Sequence, residues 1–234
     1  KLAEAKEMPP PSQPSPADFV EVYKKLLKEP DTSIISFHLS SAFSGTYQSA
    51  VLAKSMLEGE GNITVVDTKS ASLGFGMQAM LAAEAAAGGA DVEQILSMVR
   101  DMAGRTQLYF LVDTLEYLHR NGRIGKASAL FGSLLNIKPI LSIDEEGVIY
   151  PVDKIRGGRK AMGRIIELLK ERFGDAQVDV TCVHGAAPEQ AQQFGKLIQE
   201  HLNVRNTSYY ELGPVIGTHV GPGTLGVFVM QTKA

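Results

Sequence analysis

Apolar and polar positions follow two different rhythms along the chain, and the first hundred residues carry the simpler one. Ser33 to His38 and Ile63 to Asp67 are short β-branched, apolar runs with the length of buried strands. Each runs into a polar loop, Leu39 to Thr46 and Thr68 to Ser72, and then into a helical pattern, Tyr47 to Met56 and the alanine-rich Gly74 to Ala87. Ahead of them Phe19, Val20, Tyr23, Leu26 and Leu27 form a stripe at helical spacing. Ser15 is its expected N-cap and Pro16 its first helical residue, with an end near Lys28. Strands alternating with helices predict a parallel sheet covered on both faces.

From Leu108 the texture changes. Leu108 to Val112 reads as a strand, followed by two short helices around Leu115 to His119 and Ala127 to Leu135. Pro139 to Ile143 and Val148 to Lys154 flank Asp144-Glu145-Glu146-Gly147, which predicts a hairpin and so antiparallel pairing. Helices are expected at Lys160 to Phe173 and Pro188 to Leu202, and strands at Val178 to Val183, Ser208 to Leu212 and Thr224 to Met230. The fold class is therefore α/β with two domains: an N-terminal parallel α/β domain over 1–106 and a C-terminal α+β domain with a mixed or antiparallel sheet over 107–234.

Composition narrows the function classes. With 234 residues, 44% of them hydrophobic and 21% charged, the chain has the balance of a folded globular protein. Its net charge of −3 is spread evenly, with no basic face to grip a phosphate backbone, so nucleic acid is not an expected partner. The one cysteine, Cys182, lies in an apolar run and reads as a small core residue of a protein from a reducing, cytoplasmic compartment. The longest small-residue stretch, Ala79 to Ala90, contains Glu84 and falls short of the roughly 20 apolar residues of a membrane span. Lys1 to Lys6 looks like the end of a helix, so residues are expected upstream. Monomer is the default oligomeric state.

Candidate chemistry gathers in two loops. Ser40 to Thr46 joins a strand end to a helix start, where Ser44, Thr46 and amides around Gly45 would either cap the helix or hold an anion at its positive end. Gly213 to Gly223 is too irregular for a dinucleotide fingerprint and is expected to open no helix; it sets Thr218 and His219 on a tight loop, either as a structural turn or as donors to a carboxylate. Lys154 to Lys160 is a basic loop in which Arg156 and Arg159 are either solvated or steer a phosphate or a partner. His38, His119, His184 and His201 read as structural. No short-spaced set of His, Cys, Asp or Glu predicts a metal site. Phe43-Ser44-Gly45 lacks the leading glycine of a hydrolase nucleophile elbow, so a serine-dependent acyl hydrolase using Ser44 is the minor enzymatic alternative.

Three segments taken together, PSQPSP at 11–16, SSAFSGTYQSA at 40–50 and LVDTLEYLHRNGRIGKASALFGSLLNIKPIL at 111–141, resemble the DegV family. VDTKSASLG at 66–74 and IGTHVGPGTLGV at 216–227 fit the same family, in the same order. The resemblance implies a bacterial, cytoplasmic, non-enzymatic protein that binds one long-chain fatty acid, of palmitate or oleate type, in a tunnel between two domains. It further implies presentation of the carboxylate to a fatty-acid kinase that makes the acyl phosphate. Carried over position by position, the carboxylate contacts fall on Pro11 with Ser12, on Ser44, and on Thr218 with His219.

Two departures from the family pattern stand out. Pro11 occupies the place of a threonine and offers neither hydroxyl nor amide hydrogen, which leaves the donor role to Ser12. The opening strand and Thr-Asp-Ser loop of the family have no counterpart. A third possibility, a sensor module holding some other small molecule, follows from the same pocket-forming loops.

Overall fold

The computed structural model describes residues 12–132 and 137–233. Of these, 12–103 with 145–148 form one compact unit, and 104–132, 137–144 and 149–233 form a second.

In the first unit β1 (Ser33–His38) and β2 (Asn62–Asp67) pair in parallel, with Ile34 opposite Ile63 and His38 opposite Asp67. Alternation along β1 sends neighbouring side chains to opposite faces. Ile34 packs with Tyr23 of α1 (Pro16–Leu26) and with Ala53 and Leu57 of α2 (Thr46–Met56) and the residue after it. Ile35 and Phe37 meet the other layer, Ala82 of α3 (Leu73–Ala87) and Ile95 and Val99 of α4 (Val92–Gly104). The start of α1 follows its local signals: Ser15 accepts from the Asp18 amide while Asp18 accepts from Ser15, a capping box with Pro16 at the first position. The periodic pattern assigned α4 to no element, yet Asp91 and Gln94 exchange side-chain to backbone bonds at its start.

The second unit is a six-stranded sheet in the order β5-β4-β3-β8-β6-β7. Its strands are β3 (Thr106–Leu111), β4 (Ile137–Ile143), β5 (Ile149–Arg156), β6 (Val178–His184), β7 (Val204–Glu211) and β8 (Leu225–Gln231). Only β6 and β7 run parallel, joined through α7 (Pro188–Gln199); the other pairs are antiparallel. α6 (Gly158–Phe173) and α7 cover the sheet, and Ile140, Ile165, Leu169, Phe194, Ile198 and Val227 form its core. α5 (Glu116–Arg120) and a 3₁₀ helix (Gly125–Leu130) follow β3; residues 133–135 of the second helix expected over Ala127 to Leu135 lie outside the described residues.

One expectation is corrected. The glycine cluster at 213–223 does form a helix, α8 (Pro214–Val220), which begins after the extended Gly213 and stops at Gly221, whose φ of 78° leaves the helical region. Proline at the first helical position and glycine just past the last override the irregular spacing between them. Among the described residues no helix is long and apolar enough to cross a membrane, and no three His, Cys, Asp or Glu side chains cluster to hold a metal ion.

Candidate functional site

The Ser40 to Thr46 turn is pinned from below. Ser40 is fully buried; its hydroxyl donates to the Gly147 carbonyl at 2.8 Å and accepts from the Ala42 amide, and its own amide donates to the Ser70 carbonyl. The Ser41 amide donates to Asp67 at 3.3 Å. Burial alone would raise the Asp67 carboxyl, but hydrogen bonds from Lys69 and Ser41 hold it below the usual carboxylate range. The strand end, the turn and the 68–72 loop are thereby one hydrogen-bonded platform.

On that platform Ser44 is half-buried. Its Oγ lies 2.7 Å from Oγ1 of Thr46 and accepts from the Thr46 amide at 3.2 Å. The N-cap of α2 is Gly45, which provides no side-chain cap. The helix start therefore combines a hydroxyl pair with a side-chain-free N-cap at the positive end of the dipole, an arrangement suited to an anionic oxygen. Among the described residues Ser44 bonds within its own turn, to Thr46.

Ser12 is exposed at the start of the described chain, and Pro11 lies outside the described residues. What joins the 12–15 loop to the turn is Gln13. Its amide lies where a Cβ on Gly45 would stand, within 2.4 Å of that position, and its Nε2 donates to Ser49 Oγ at 3.4 Å. Glycine at 45 lets the loop close over the helix start.

In the second unit His219 sits near the end of α8, half-buried. Its Nδ1 is buried with no hydrogen-bond partner among the described residues. Burial, reinforced by the Arg123 guanidinium, pushes the imidazole below the usual histidine range, so it is neutral near pH 7. Thr218 is buried, and its hydroxyl donates to the Pro214 carbonyl at 2.8 Å. That bond occupies the Thr218 proton within the helix. Asn121 donates to both the Tyr117 and Thr218 carbonyls, at 2.9 and 3.1 Å, and Arg123 donates to the Asn121 carbonyl at 2.8 Å. The 117–123 segment thus clamps α8 and places Arg123 beside His219.

Ser12 and Ser44 belong to the first unit, Thr218 and His219 to the second. Arg156 ends β5 and Arg159 lies in the first turn of α6; both are exposed. Gly157 between them, at φ 88°, makes the corner. Gln13, Asn121 and Arg123 were not singled out from the sequence. Asn-Gly after a helix marks a turn, but nothing local signals a bond across the 97 positions from Asn121 to Thr218.

A separate groove of about 970 Å³ runs along β1, α3 and α4, with Ile35, Phe37, Ala79, Ala82, Ala86 and Ile95 among its lining.

Comparison with known proteins gives a consistent answer. A family model described as "Uncharacterised protein, DegV family" matches residues 1–232. A DegV domain-containing protein of Streptomyces coelicolor is 40% identical over 219 residues, which cover 93% of this chain and 77% of that one. The fold is that of a DegV family protein of Thermus thermophilus described for its fatty acid binding, with a TM-score of 0.88 and 36% identity over 99% of this chain and 82% of that one. DegV of Bacillus subtilis, described as a fatty acid binding protein, matches with a TM-score of 0.78 and 37% identity over 94% of this chain and 78% of that one.

Proposed function

The chain belongs to the DegV family, and from that premise we propose that it is a cytoplasmic carrier that buries one long-chain fatty acid of palmitate or oleate type and performs no chemistry of its own. Its partner in this reading is a fatty-acid kinase, to which it presents the carboxylate for acyl-phosphate formation. The observation that carries the reading is the match to fatty-acid-binding relatives above a third identity along nearly the whole chain.

The physics of each half supports it. Burying an acyl chain contributes roughly 0.8 kcal/mol per methylene, so about fifteen methylenes supply on the order of 10 kcal/mol before ordering costs. The groove along α3 offers such a tail the side chains of Ile35, Phe37, Ala82 and Ile95, with Ser33, Ser36, Asn62, Asp91 and Glu93 at its polar positions. A buried carboxylate needs two or three donors. We assign these to Ser44, Ser12 and His219, whose buried Nδ1 has no partner among the described residues, with Thr218 beside it holding α8 through the Pro214 carbonyl. Arg156 and Arg159, exposed on a fixed corner, are assigned to the phosphoryl donor or the kinase surface.

The test is mass spectrometry of the purified protein, native and after organic extraction, beside a Ser44→Ala, His219→Ala double variant. A stoichiometric fatty acid in the wild type that is depleted in the variant is expected. A wild-type protein that carries no lipid and takes up neither palmitate nor oleate would overturn the reading. Kinase coupling is read separately, as acyl phosphate formed only when loaded protein, kinase and ATP are combined.

A further inference from the structure

We propose that Tyr23, Ser36 and His38 form a positioning chain for the fatty-acid carboxylate, holding α1 and β1 in the one arrangement that brings the 12–15 loop onto the helix start at Gly45. The inference rests on the fatty-acid reading and adds to it three residues that act through the 12–15 loop and the 40–46 turn, Ser36 also lining the groove.

The chain is a run of hydrogen bonds through the first unit. Tyr23 of α1 donates from its hydroxyl to Ser36 Oγ at 2.8 Å, and Ser36 Oγ lies 2.8 Å from Nε2 of His38. With the Tyr23 proton directed to Ser36, the Ser36 proton goes to Nε2, which requires neutral His38 protonated on Nδ1. Three polar groups in sequence, two of them on buried residues, are costly unless every member is paired. An apolar trio at these positions would satisfy packing alone, so the polar chain points to a demand for directional geometry.

Both ends of the chain abut candidate site loops. α1 begins directly after the loop that carries Ser12 and Gln13, and Tyr23 fixes its depth on β1. His38 ends β1 two residues before Ser40, its carbonyl accepts from the Thr68 amide and hydroxyl, and its ring meets Phe19 of α1 at 5.3 Å and Tyr47 of α2 at 6.4 Å. Tyr47 follows Thr46 directly. A shift of α1 against β1 would withdraw Gln13 from Gly45 and reshape the donors around Ser44, while Ile35 and Phe37, which pack on α3 and α4 from the other face of β1, keep that side of the groove.

That division defines the experiment. Affinity for a long-chain fatty acid and for the fatty alcohol of equal length is measured by displacement of a fluorescent fatty acid from the whole chain. Wild type is expected to prefer the acid. Tyr23→Phe and His38→Leu are each expected to lower that preference about fivefold, the scale of one lost hydrogen bond, with alcohol affinity unchanged. His38→Gln, whose amide oxygen still accepts from Ser36, is expected to restore most of it. Tyr23→Phe keeps its ring in the core and serves if His38→Leu does not fold. Equal weakening of acid and alcohol would show a merely structural role, and an unchanged preference would show none; either overturns the proposal while the fatty-acid reading stands. A wild type that binds neither ligand would sink both.

Discussion

The hydroxyl of Ser40 donates to the carbonyl of Gly147 at 2.8 Å, so a side chain at the base of the 40–46 turn is locked to a backbone atom 107 positions away. The fit has no slack. Gly147 has φ 80°, and a Cβ there would stand 2.1 Å from Ser40 Oγ. Gly147→Ala combines left-handed strain with a collision against a fully buried neighbour, and is expected to cost about 2–3 kcal/mol in urea unfolding. Ser40→Ala alone is expected to cost about 1 kcal/mol. Because the two residues touch, the double variant is expected to be less destabilised than the sum.

Asn121 holds α8 by the Thr218 carbonyl, one residue from His219. Asn121→Ala leaves two carbonyls without that donor and is expected to lower stability by about 1–2 kcal/mol. If His219 contacts the carboxylate, the same change is expected to weaken fatty-acid binding several-fold while Lys154→Ala, on the exposed part of β5, does not. Titration of a fluorescent fatty acid into both variants checks it.

Two histidines give stability a defined pH dependence. Burial pushes His38 down, partly opposed by Asp67 across the strand pair; Tyr47 and Phe19 face the ring, and Tyr23 reaches it through Ser36. His219 is pushed down by burial and by Arg123. Both therefore take up protons more readily in the unfolded chain, whose histidine value is 6.5. Their neutral forms leave stability undiminished above that value, and stability drains as the pH falls below it toward the lower folded-state values. Chemical denaturation between pH 7.5 and about 5 is expected to show this loss, and His38→Gln and His219→Gln each to flatten part of it.

Cys182 is 1% exposed, and burial pushes its thiol up to about 12. The thiolate is the reacting form. The native protein is expected to leave a disulfide reagent unconsumed at pH 8, with one equivalent reacting at the rate of unfolding once denaturant is added.

The alternation of short apolar runs with helical stripes marked both layers of the first unit, because burial on two faces leaves its imprint in consecutive residues. Ser15 with Asp18, and Pro16 beside them, announced α1 for the same reason: a capping box is satisfied within four residues. The family motifs likewise lie on contiguous segments. α8 and α4 escaped the reading although their caps were present, since a seven-residue helix shows barely two turns of periodicity and the stripe of α4 follows a glycine-rich break.

Local order along the chain thus determined most of the strands and helices and the family they compose, but missed α4 and α8 and set the start of β7 four residues late. Tertiary structure alone decided that β3 sits between β4 and β8, that Gln13 occupies the space beside Gly45, that Asn121 grips Thr218, and that Tyr23, Ser36 and His38 join hands inside one unit. Each of these depends on pairing residues far apart in sequence, where the entropy of closing the intervening loop changes only slowly with its length. Sequence separation therefore says little about which distant partners meet; shape and hydrogen-bond complementarity in the packed chain select them.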